Sequence, residues 1–357
     1  MTKRPIILFL ITAKQFLAWA AALLFFGNPA FARTWINSEG TSIEAEFIEL
    51  KDSKVGILMN GKRYDVSLDS LSKEDQAYAK GEWQRLTEKA EAETRQFMGQ
   101  ELKRGELVIF TFRLSEKNQR LAKRGGTGWG NSSESSNSGS WNKKMLEGHE
   151  LKDIRVLLGI PNDFDPKRGC PIFVQWTTSD IKSNVEGAKS YWNDCRDKGW
   201  MLVSVEGSPD AKSTWSNAVF YAAIKEFFEQ LHLKYEGSKK WPVATGGFSG
   251  GAKISQWMGA IMSELDGVDL KGYWIGGCND ALFDFAIKDM SVSRNVYRNK
   301  KAFISSGDAD DLVTDRYRER VEKGAKEVRL DVRSKIYSGG HSINRAHFKE
   351  ALDWFLE

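Results

Sequence analysis

The chain has 357 residues, of which 41% are apolar and 28% are charged. It is too long for one small module, and its composition is that of a soluble protein with a sizeable core. Three cysteines, Cys170, Cys195 and Cys278, are too few and too scattered for a metal cluster or a disulfide scaffold. Cys170 and Cys195 flank one predicted strand–helix unit, so they are the pair that an exported protein could join.

The first 32 residues have the order of a secretory signal peptide. Lys3 and Arg4 form a basic start, the stretch Ile6–Phe26 is almost entirely apolar, and Ala30-Phe31-Ala32 is a small-residue cleavage pattern. We therefore predict cleavage after Ala32 and a secreted or periplasmic protein. The alternative is an uncleaved membrane anchor, because the apolar span is long enough to cross a bilayer.

The net charge of +4 belongs largely to this segment. Lys3, Arg4 and Lys14 are three of the 52 basic residues, and the segment has no acid, so 49 basic residues face 48 acidic ones after cleavage. This balance gives no reason to expect nucleic acid or an anionic lipid surface as a partner.

Residues 33–80 have the pattern of a small all-β module. Asn60-Gly61 is a strong two-residue hairpin signal between two of its predicted strands. Ser72 precedes a predicted helix and can cap its first turn. The predicted strands are Thr34–Asn37, Ile43–Leu50, Val55–Met59 and Arg63–Leu68.

Short segments of this module form a recognisable pattern: Arg33-Thr34-Trp35, Glu44-Ala45-Glu46-Phe47, Gly61-Lys62, Val66-Ser67-Leu68, Leu71-Ser72 and Asp75-Gln76. On these residues the module resembles the Sla homology domain one, a small SH3-like barrel. Modules of that family bind proteins, so the resemblance implies a protein partner for the barrel.

Residues 81–147 connect this module to the rest of the chain. Residues 73–105 are rich in Glu, Lys, Ala and Gln, which predicts a mostly exposed helix, and Leu107–Leu114 is a predicted strand. Residues 124–140 are almost entirely Gly, Ser and Asn and cannot bury a core, so we predict a flexible linker there.

From residue 148 to residue 357, short apolar strands alternate with amphipathic helices. The clearest helix is Trp215–Leu231, with apolar residues at helical spacing. Such alternation predicts an α/β fold with a doubly wound, mostly parallel sheet, whose reactive groups lie past the carboxyl ends of its strands. The predicted strands are Ile154–Ile160, Ile172–Trp176, Met201–Val205, Val243–Gly246, Gly272–Ile275, Ala302–Ser305 and Lys335–Tyr337.

A G-x-S-x-G motif follows the strand Val243–Gly246 and leads into a predicted helix. Its serine is Ser249, in Gly247-Phe248-Ser249-Gly250-Gly251. Glycines on both sides remove side-chain collisions at a sharp strand–turn–helix junction, which is the context of a nucleophilic serine. The alternative interpretation is a turn serine that caps the helix.

A nucleophilic serine needs a base, and the chain offers four histidines: His149, His232, His341 and His347. His341 is the best candidate, because it follows a predicted strand directly on a Gly-Gly loop that can bring it over the edge of the sheet. His149 precedes the sheet, and the other two lie in predicted helices.

The order Ser, Asp, His, each after its own strand, resembles the α/β-hydrolase superfamily over residues 150–357. The acid of that superfamily follows the pattern G-x-x-D-x-x-V, which falls on Gly307, Asp310 and Val313. The resemblance thus implies that Asp310 orients the base. The competing carboxylates are Asp308, Asp311, Asp315 and, after the preceding strand, Asp280.

Three segments at the start of this region look like the entry of secreted esterases of the feruloyl, acetyl-xylan and polyhydroxyalkanoate-depolymerase-like group. They are Arg155–Pro161, Asp163-Phe164-Asp165-Pro166 and Pro171–Trp176. The resemblance implies hydrolysis of a carboxylic ester through an acyl-enzyme, with no metal or cofactor.

The chain departs from this group where the oxyanion strand ends. Gln175-Trp176-Thr177-Thr178 stands where the group has His-Gly. We expect the backbone N–H of Gly250 and that of Thr177 or Thr178 to form the oxyanion hole. Trp176 either lines the substrate pocket or belongs to the core.

The sequence therefore predicts a secreted serine hydrolase that cleaves small or polymeric esters, for example acylated polysaccharides. Two alternatives remain: a peptidase of the same fold with the same three residues, and a catalytically inert protein that binds a partner through its N-terminal barrel.

Overall fold

The computed structural model describes residues 32–124, 150–178, 183–207 and 216–357. They belong to two compact units, which divide after Glu93. The predicted signal segment, apart from Ala32, and nearly all of the predicted linker lie outside the described residues. Within the described ranges, no helix has the length and apolarity needed to cross a membrane.

The β-strands are numbered in chain order. They are β1 (Arg33–Ile36), β2 (Ser42–Lys51), β3 (Lys54–Met59), β4 (Lys62–Ser67), β5 (Gln96–Phe97), β6 (Gln100–Glu101), β7 (Leu107–Arg113), β8 (Asp153–Gly159), β9 (Ile172–Trp176), β10 (Met201–Gly207), β11 (Pro242–Phe248), β12 (Asp269–Gly276), β13 (Lys301–Gly307) and β14 (Asp331–Tyr337).

The helices are named by their residues. The α-helices are Lys73–Arg95, Glu116–Arg124, Asn184–Ala188, Trp192–Asp197, Asn217–Lys234, Gly250–Met262, Phe283–Asp289, Asp315–Glu327 and Arg345–Phe355. Short 3₁₀ helices are Leu68–Ser70, Lys189–Tyr191, Glu236–Lys240 and Arg294–Tyr297.

The first unit is a four-stranded antiparallel sheet in the order β1-β2-β3-β4. Backbone hydrogen bonds from Ser38 N to Ser70 O and from Ser72 N to Ile36 O join β1 to the segment after β4, so the strands curl around a small core. Asn60 and Gly61 have φ of 50° and 72°, as the predicted hairpin requires. The predicted small all-β domain is confirmed.

Asp75 fastens the helix of this unit to β1. Its carboxylate accepts the N–H of Ile36 at 2.6 Å and also binds Arg33, and its own backbone N–H donates to Ser72 Oγ at 3.1 Å. The predicted cap at Ser72 is therefore present, and the helix begins at Lys73.

The second unit is built on an eight-stranded sheet in the order β14-β13-β12-β11-β9-β10-β8-β7. Strand β8 runs antiparallel to both of its neighbours, β10 and β7, and the other pairings are parallel. This strand order with one antiparallel strand is that of the α/β-hydrolase fold, and the predicted fold class is confirmed.

Side-chain alternation along the strands sends apolar groups to both faces of the sheet. On β9, Ile172, Val174 and Trp176 enter the core that the helix Asn217–Lys234 covers, while Phe173 enters a second core that contains residues of Arg345–Phe355. The near-continuous apolar strands of the sequence reflect this burial on two sides.

The chain between the first unit and β8 differs from the prediction in two places. The helix predicted over residues 73–105 ends at Arg95, because Met98 and Gly99 adopt φ of 49° and 78° in a tight turn between β5 and β6. The eight-stranded sheet begins before residue 148, since β7 pairs with β8 along its whole length.

The disulfide that the sequence allowed between Cys170 and Cys195 is absent. Both are free thiols, as is Cys278, and all three are buried. Cys170 Sγ instead lies 3.5 Å from the carbonyl oxygen of Pro171. Burial raises the pKa of Cys170 to about 12 and that of Cys278 to about 11, so both remain protonated near neutrality.

Thiol titration tests this assignment. We expect no reaction of the native protein with a disulfide reagent at pH 8, because buried, protonated thiols are inert, and reaction of all three thiols after unfolding without reductant. If only one thiol reacts after unfolding, two of the three cysteines form a disulfide, and the assignment of free thiols is wrong.

A buried carboxylate joins two helices on one face of the second unit. Glu226, 1% exposed, accepts hydrogen bonds at Oε2 from Ser115 N, Ser115 Oγ and Asn118 Nδ2 at 2.7–2.9 Å, and at Oε1 from Gln230. Burial by itself would raise the pKa of Glu226, but the hydrogen bonds from Asn118 and Ser115 outweigh it and lower that pKa.

We predict that Glu226→Ala lowers the free energy of unfolding by about 1–3 kcal/mol at pH 7, because it leaves buried donors unpaired. The folded-state pKa lies below the unfolded one, so this stabilisation is present above about pH 4 and is lost as the pH falls through the folded pKa. Denaturant unfolding at pH 7 and pH 3 measures both effects, with the exposed Glu236→Ala as control. An unchanged midpoint at pH 7 contradicts the prediction.

Candidate active site

Ser249 lies on a sharp turn between β11 and the helix Gly250–Met262. Its backbone has φ 55° and ψ −118°, a conformation that costs a non-glycine residue about 1–3 kcal/mol. Its N–H donates to the carbonyl oxygen of Gly276 at 2.8 Å, which ties the turn to the end of β12. This strained, half-buried position distinguishes Ser249 from an ordinary helix cap, and its side chain makes no capping hydrogen bond.

The flanking glycines are required by the end of the neighbouring strand. Gly247 pairs with Trp176 in the sheet, and a Cβ on either Gly247 or Gly251 would collide with the carbonyl oxygen of Trp176. Because that oxygen is backbone, the collision could not be relieved by a rotamer change. The two glycines therefore allow the end of β9 to approach the serine turn.

Asp310 and His341, predicted as acid and base, are joined directly. Asp310 Oδ2 lies 2.8 Å from His341 Nδ1, and the Asp310 side chain is fully buried. Asp310 Oδ1 accepts the backbone N–H groups of Leu312 and Val313 at 2.9 and 3.1 Å. Each oxygen of the Asp310 carboxylate thus has its own hydrogen-bond partners. One quarter of the His341 side chain remains exposed.

His341 lies beside the serine turn. Its ring packs on Phe248, the residue before Ser249, with a centroid separation of 4.6 Å. A Cβ on Gly277 would lie 3.2 Å from His341 Cε1, so the ring also faces the end of β12. No hydrogen bond joins Ser249 to His341 among the described residues. Such bonds are often long in the absence of substrate.

The competing carboxylates make other contacts. Asp308 Oδ1 accepts the N–H of Gly339 at 2.9 Å and shapes the loop that carries His341. Asp280 lies 3.2 Å from Arg320, Asp315 binds Arg318, and Asp311 is exposed.

Two of the other histidines pair with serines away from the turn, and His149 lies outside the described residues. His232 Nδ1 is 2.8 Å from Ser238 Oγ, and His347 Nδ1 is 2.9 Å from Ser305 Oγ. Burial lowers the pKa of both histidines. Ser305 is 1% exposed and cannot meet a substrate, so its pairing with His347 does not rival that of Asp310 with His341.

Trp176 belongs to the core, so the expectation that it lines a substrate pocket is wrong. Its side chain is fully buried, its Nε1 donates to Thr245 Oγ1 at 2.8 Å, and its ring packs on Phe220. It shares a face of β9 with Ile172 and Val174, which places it under the sheet's helices rather than in the site.

The two threonines after β9 occupy different positions. The N–H of Thr177 donates to Asn184 Oδ1 at 2.7 Å, so it is engaged within the protein. Thr178 lies against the serine turn instead: a Cβ on Gly250 would lie 2.7 Å from Thr178 Oγ1 and 3.2 Å from Thr178 Cα. Of the two residues predicted to share the oxyanion hole with Gly250, Thr178 is the one beside it.

Sequence reasoning missed the polar residues behind these threonines. Asn184 binds Thr177 N–H, and the buried Glu206 binds the backbone of Asn184. The only signal in the sequence was a glutamate and a serine, Glu206 and Ser204, within the mostly apolar strand Met201–Gly207. Among the described residues, no group of three His, Cys, Asp or Glu side chains is arranged to hold a metal ion.

Residues 26–86 match the family model described as SLA1 homology domain 1, which confirms the resemblance of the first unit. No curated protein sequence matches the chain significantly.

Similar solved structures include esterases from three organisms. A Pyrococcus furiosus esterase is 13% identical (58% of this chain, 85% of that chain, TM-score 0.39). Thermogutta terrifontis esterase 2 is 12% identical (57% and 87%, TM-score 0.40). A Rhizomucor miehei esterase is 14% identical (68% and 96%, TM-score 0.41). With such low scores, the fold assignment rests on the strand order described above.

We predict that Gly251→Ala destabilises the protein by about 1–3 kcal/mol or more, since its Cβ meets backbone that cannot move independently. Gly237→Ala is the matched control, because a Cβ there would meet nothing within 4 Å. Thermal unfolding of both variants measures the difference. Equal midpoints would show that the end of β9 is not packed against the serine turn.

Proposed function

We propose that the protein is a serine hydrolase of carboxylic esters, with Ser249 as nucleophile, His341 as base and Asp310 as the acid that orients it. The observation that carries the proposal is the 2.8 Å contact between the buried Asp310 and His341, beside a serine held at positive φ. A buried carboxylate that accepts Nδ1–H leaves Nε2 as the basic nitrogen of the imidazole.

In the first half of the reaction, Ser249 Oγ attacks the acyl carbon while its proton moves to His341 Nε2. The resulting tetrahedral oxyanion collapses, the bond to the leaving oxygen breaks, and His341 gives its proton to that oxygen. Water then attacks the acyl-enzyme with His341 again as base, which releases the carboxylic acid and restores Ser249.

The oxyanion is stabilised by backbone N–H groups of Gly250 and Thr178. Gly250 is the first residue of its helix, where N–H groups have no partner within the helix and the helix dipole favours negative charge. We assign the second donor to the backbone N–H of Thr178 because this residue lies directly against Gly250. A threonine in place of the usual glycine leaves the backbone donor unchanged.

The substrate is an ester outside the cytoplasm, small or polymeric, with acylated polysaccharide as one candidate. Support for this part comes from the N-terminal signal-like segment and the esterase-like motifs of the sequence. The barrel of the first unit would then bring the enzyme to a protein partner, as its family implies.

A kinetic series with p-nitrophenyl esters of increasing acyl length tests the proposal. We expect wild-type hydrolysis, a loss of about 10⁶-fold in kcat for Ser249→Ala, and about 10⁴-fold for Asp310→Asn, which favours the wrong imidazole tautomer. Asp311→Asn is the matched control, because this exposed neighbour should leave kcat unchanged.

The outcomes separate the alternatives. Activity that survives in Ser249→Ala, or none in wild type, contradicts the proposal, and inactivity with intact folding favours the inert binding protein. Hydrolysis of peptide p-nitroanilides in preference to esters of the same acyl group would identify a peptidase.

A further inference from the structure

A buried polar cluster lies behind the threonines that follow β9. We call it the Asn184 cluster, and it consists of Arg155, Ser183, Asn184, Ser204 and Glu206. Asn184, Ser204 and Glu206 are each at most 3% exposed. The proposed reaction steps use none of these residues, yet their hydrogen bonds converge on the segment that carries Thr178.

The side-chain amide of Asn184 is bonded at both ends. Oδ1 accepts the N–H of Thr177 at 2.7 Å, while Nδ2 donates to Ser204 Oγ at 2.8 Å and to the carbonyl oxygen of Val205 at 2.9 Å. The carbonyl oxygen of Val205 can only accept a hydrogen bond, so the side-chain atom of Asn184 that faces it must be the nitrogen Nδ2. This fixes the orientation of the Asn184 side-chain amide. Thr177 N–H is therefore held by a rigid acceptor.

Glu206 fixes the backbone of Asn184 in turn. Its Oε2 accepts the N–H of Asn184 at 2.6 Å and Ser183 Oγ at 2.9 Å. Its Oε1 accepts from Arg155 at 2.7 Å, and this partner balances the buried charge. Strands β8 and β10, which carry Arg155 and Glu206, thus position a residue outside the sheet.

Gly187 holds Thr177 from a second direction. A Cβ on Gly187 would collide with Thr177 Oγ1 and lie 2.8 Å from Thr177 Cβ, so the threonine side chain packs directly against this glycine. The backbone N–H and the side chain of Thr177 are fixed by separate contacts, and Thr178 follows immediately, against Gly250.

We propose that Asn184 is a positioning residue for the oxyanion hole: locked by Glu206 and Arg155, it fixes Thr177 so that the N–H of Thr178 points at the developing oxyanion. This inference rests on the proposed function. Backbone donors stabilise an oxyanion only at the right distance, and a displacement of about 1 Å can cost roughly 10²-fold in rate.

The test compares Asn184→Ala with Gly187→Ala, which disturbs Thr177 from the other side without removing a hydrogen bond. For p-nitrophenyl butyrate we expect both variants to lose about 10–10²-fold in kcat with KM changed less than about twofold, since substrate binds before the oxyanion forms. Affinity for an aryl trifluoromethyl ketone should fall by the same factor as kcat, because its hemiketal oxygen occupies the hole.

Glu226→Ala is the matched control, because it also removes buried hydrogen bonds but lies in the helix Asn217–Lys234. It should lower the unfolding midpoint while leaving kcat and ketone affinity intact. The inference is overturned if Asn184→Ala and Gly187→Ala behave like this control. If Asn184→Ala fails to fold, Gly187→Ala alone decides. Absence of wild-type hydrolysis would instead overturn the proposed function, and the inference with it.

Discussion

The close approach of the Trp176 carbonyl to Gly247 and Gly251 is the constraint on which the candidate site depends. It brings together the carboxyl ends of two neighbouring parallel strands, β9 and β11. Beyond these ends, the chain after β9 leads to β10 on one side and the chain after β11 leads to β12 on the other. The serine turn and the threonine segment are consequently one packed unit. Close packing of this kind holds backbone donors in fixed positions, as an oxyanion hole requires.

The proposed acid and base, Asp310 and His341, follow strands β13 and β14, which lie on the opposite side of β11 from β9. Strand β14 pairs with β13, and β13 pairs with β12, whose Gly276 accepts the N–H of Ser249. Two backbone N–H groups hold one oxygen of Asp310 and leave the other for His341. Asp310 and His341 therefore each follow the end of a strand of the sheet after only a few loop residues.

Local sequence patterns were enough to select the candidate nucleophile and base. Ser249 stands in a glycine-flanked turn, and His341 follows a Gly-Gly pair, so both could be selected before any contact was known. Burial of Trp176 could not be predicted, because every residue of β9 except Gln175 is apolar and alternation gives no sign of which face meets the site. Asn184 and Glu206 were missed because their roles depend on contacts between separate segments of the chain. Asn184 accepts the N–H of Thr177, and Glu206 accepts the N–H of Asn184, and no sequence motif marks either contact.

In the proposed reaction, Ser249 attacks an acyl group whose oxygen accepts hydrogen bonds from the N–H groups of Gly250 and Thr178. A crystal structure of the protein after reaction with a fluorophosphonate tests it most directly. We predict a phosphorus–oxygen bond at Ser249 Oγ, with the phosphoryl oxygen about 2.7–3.1 Å from both N–H groups. The proposed reaction would be contradicted by an unmodified Ser249, or by an adduct whose phosphoryl oxygen points away from Thr178.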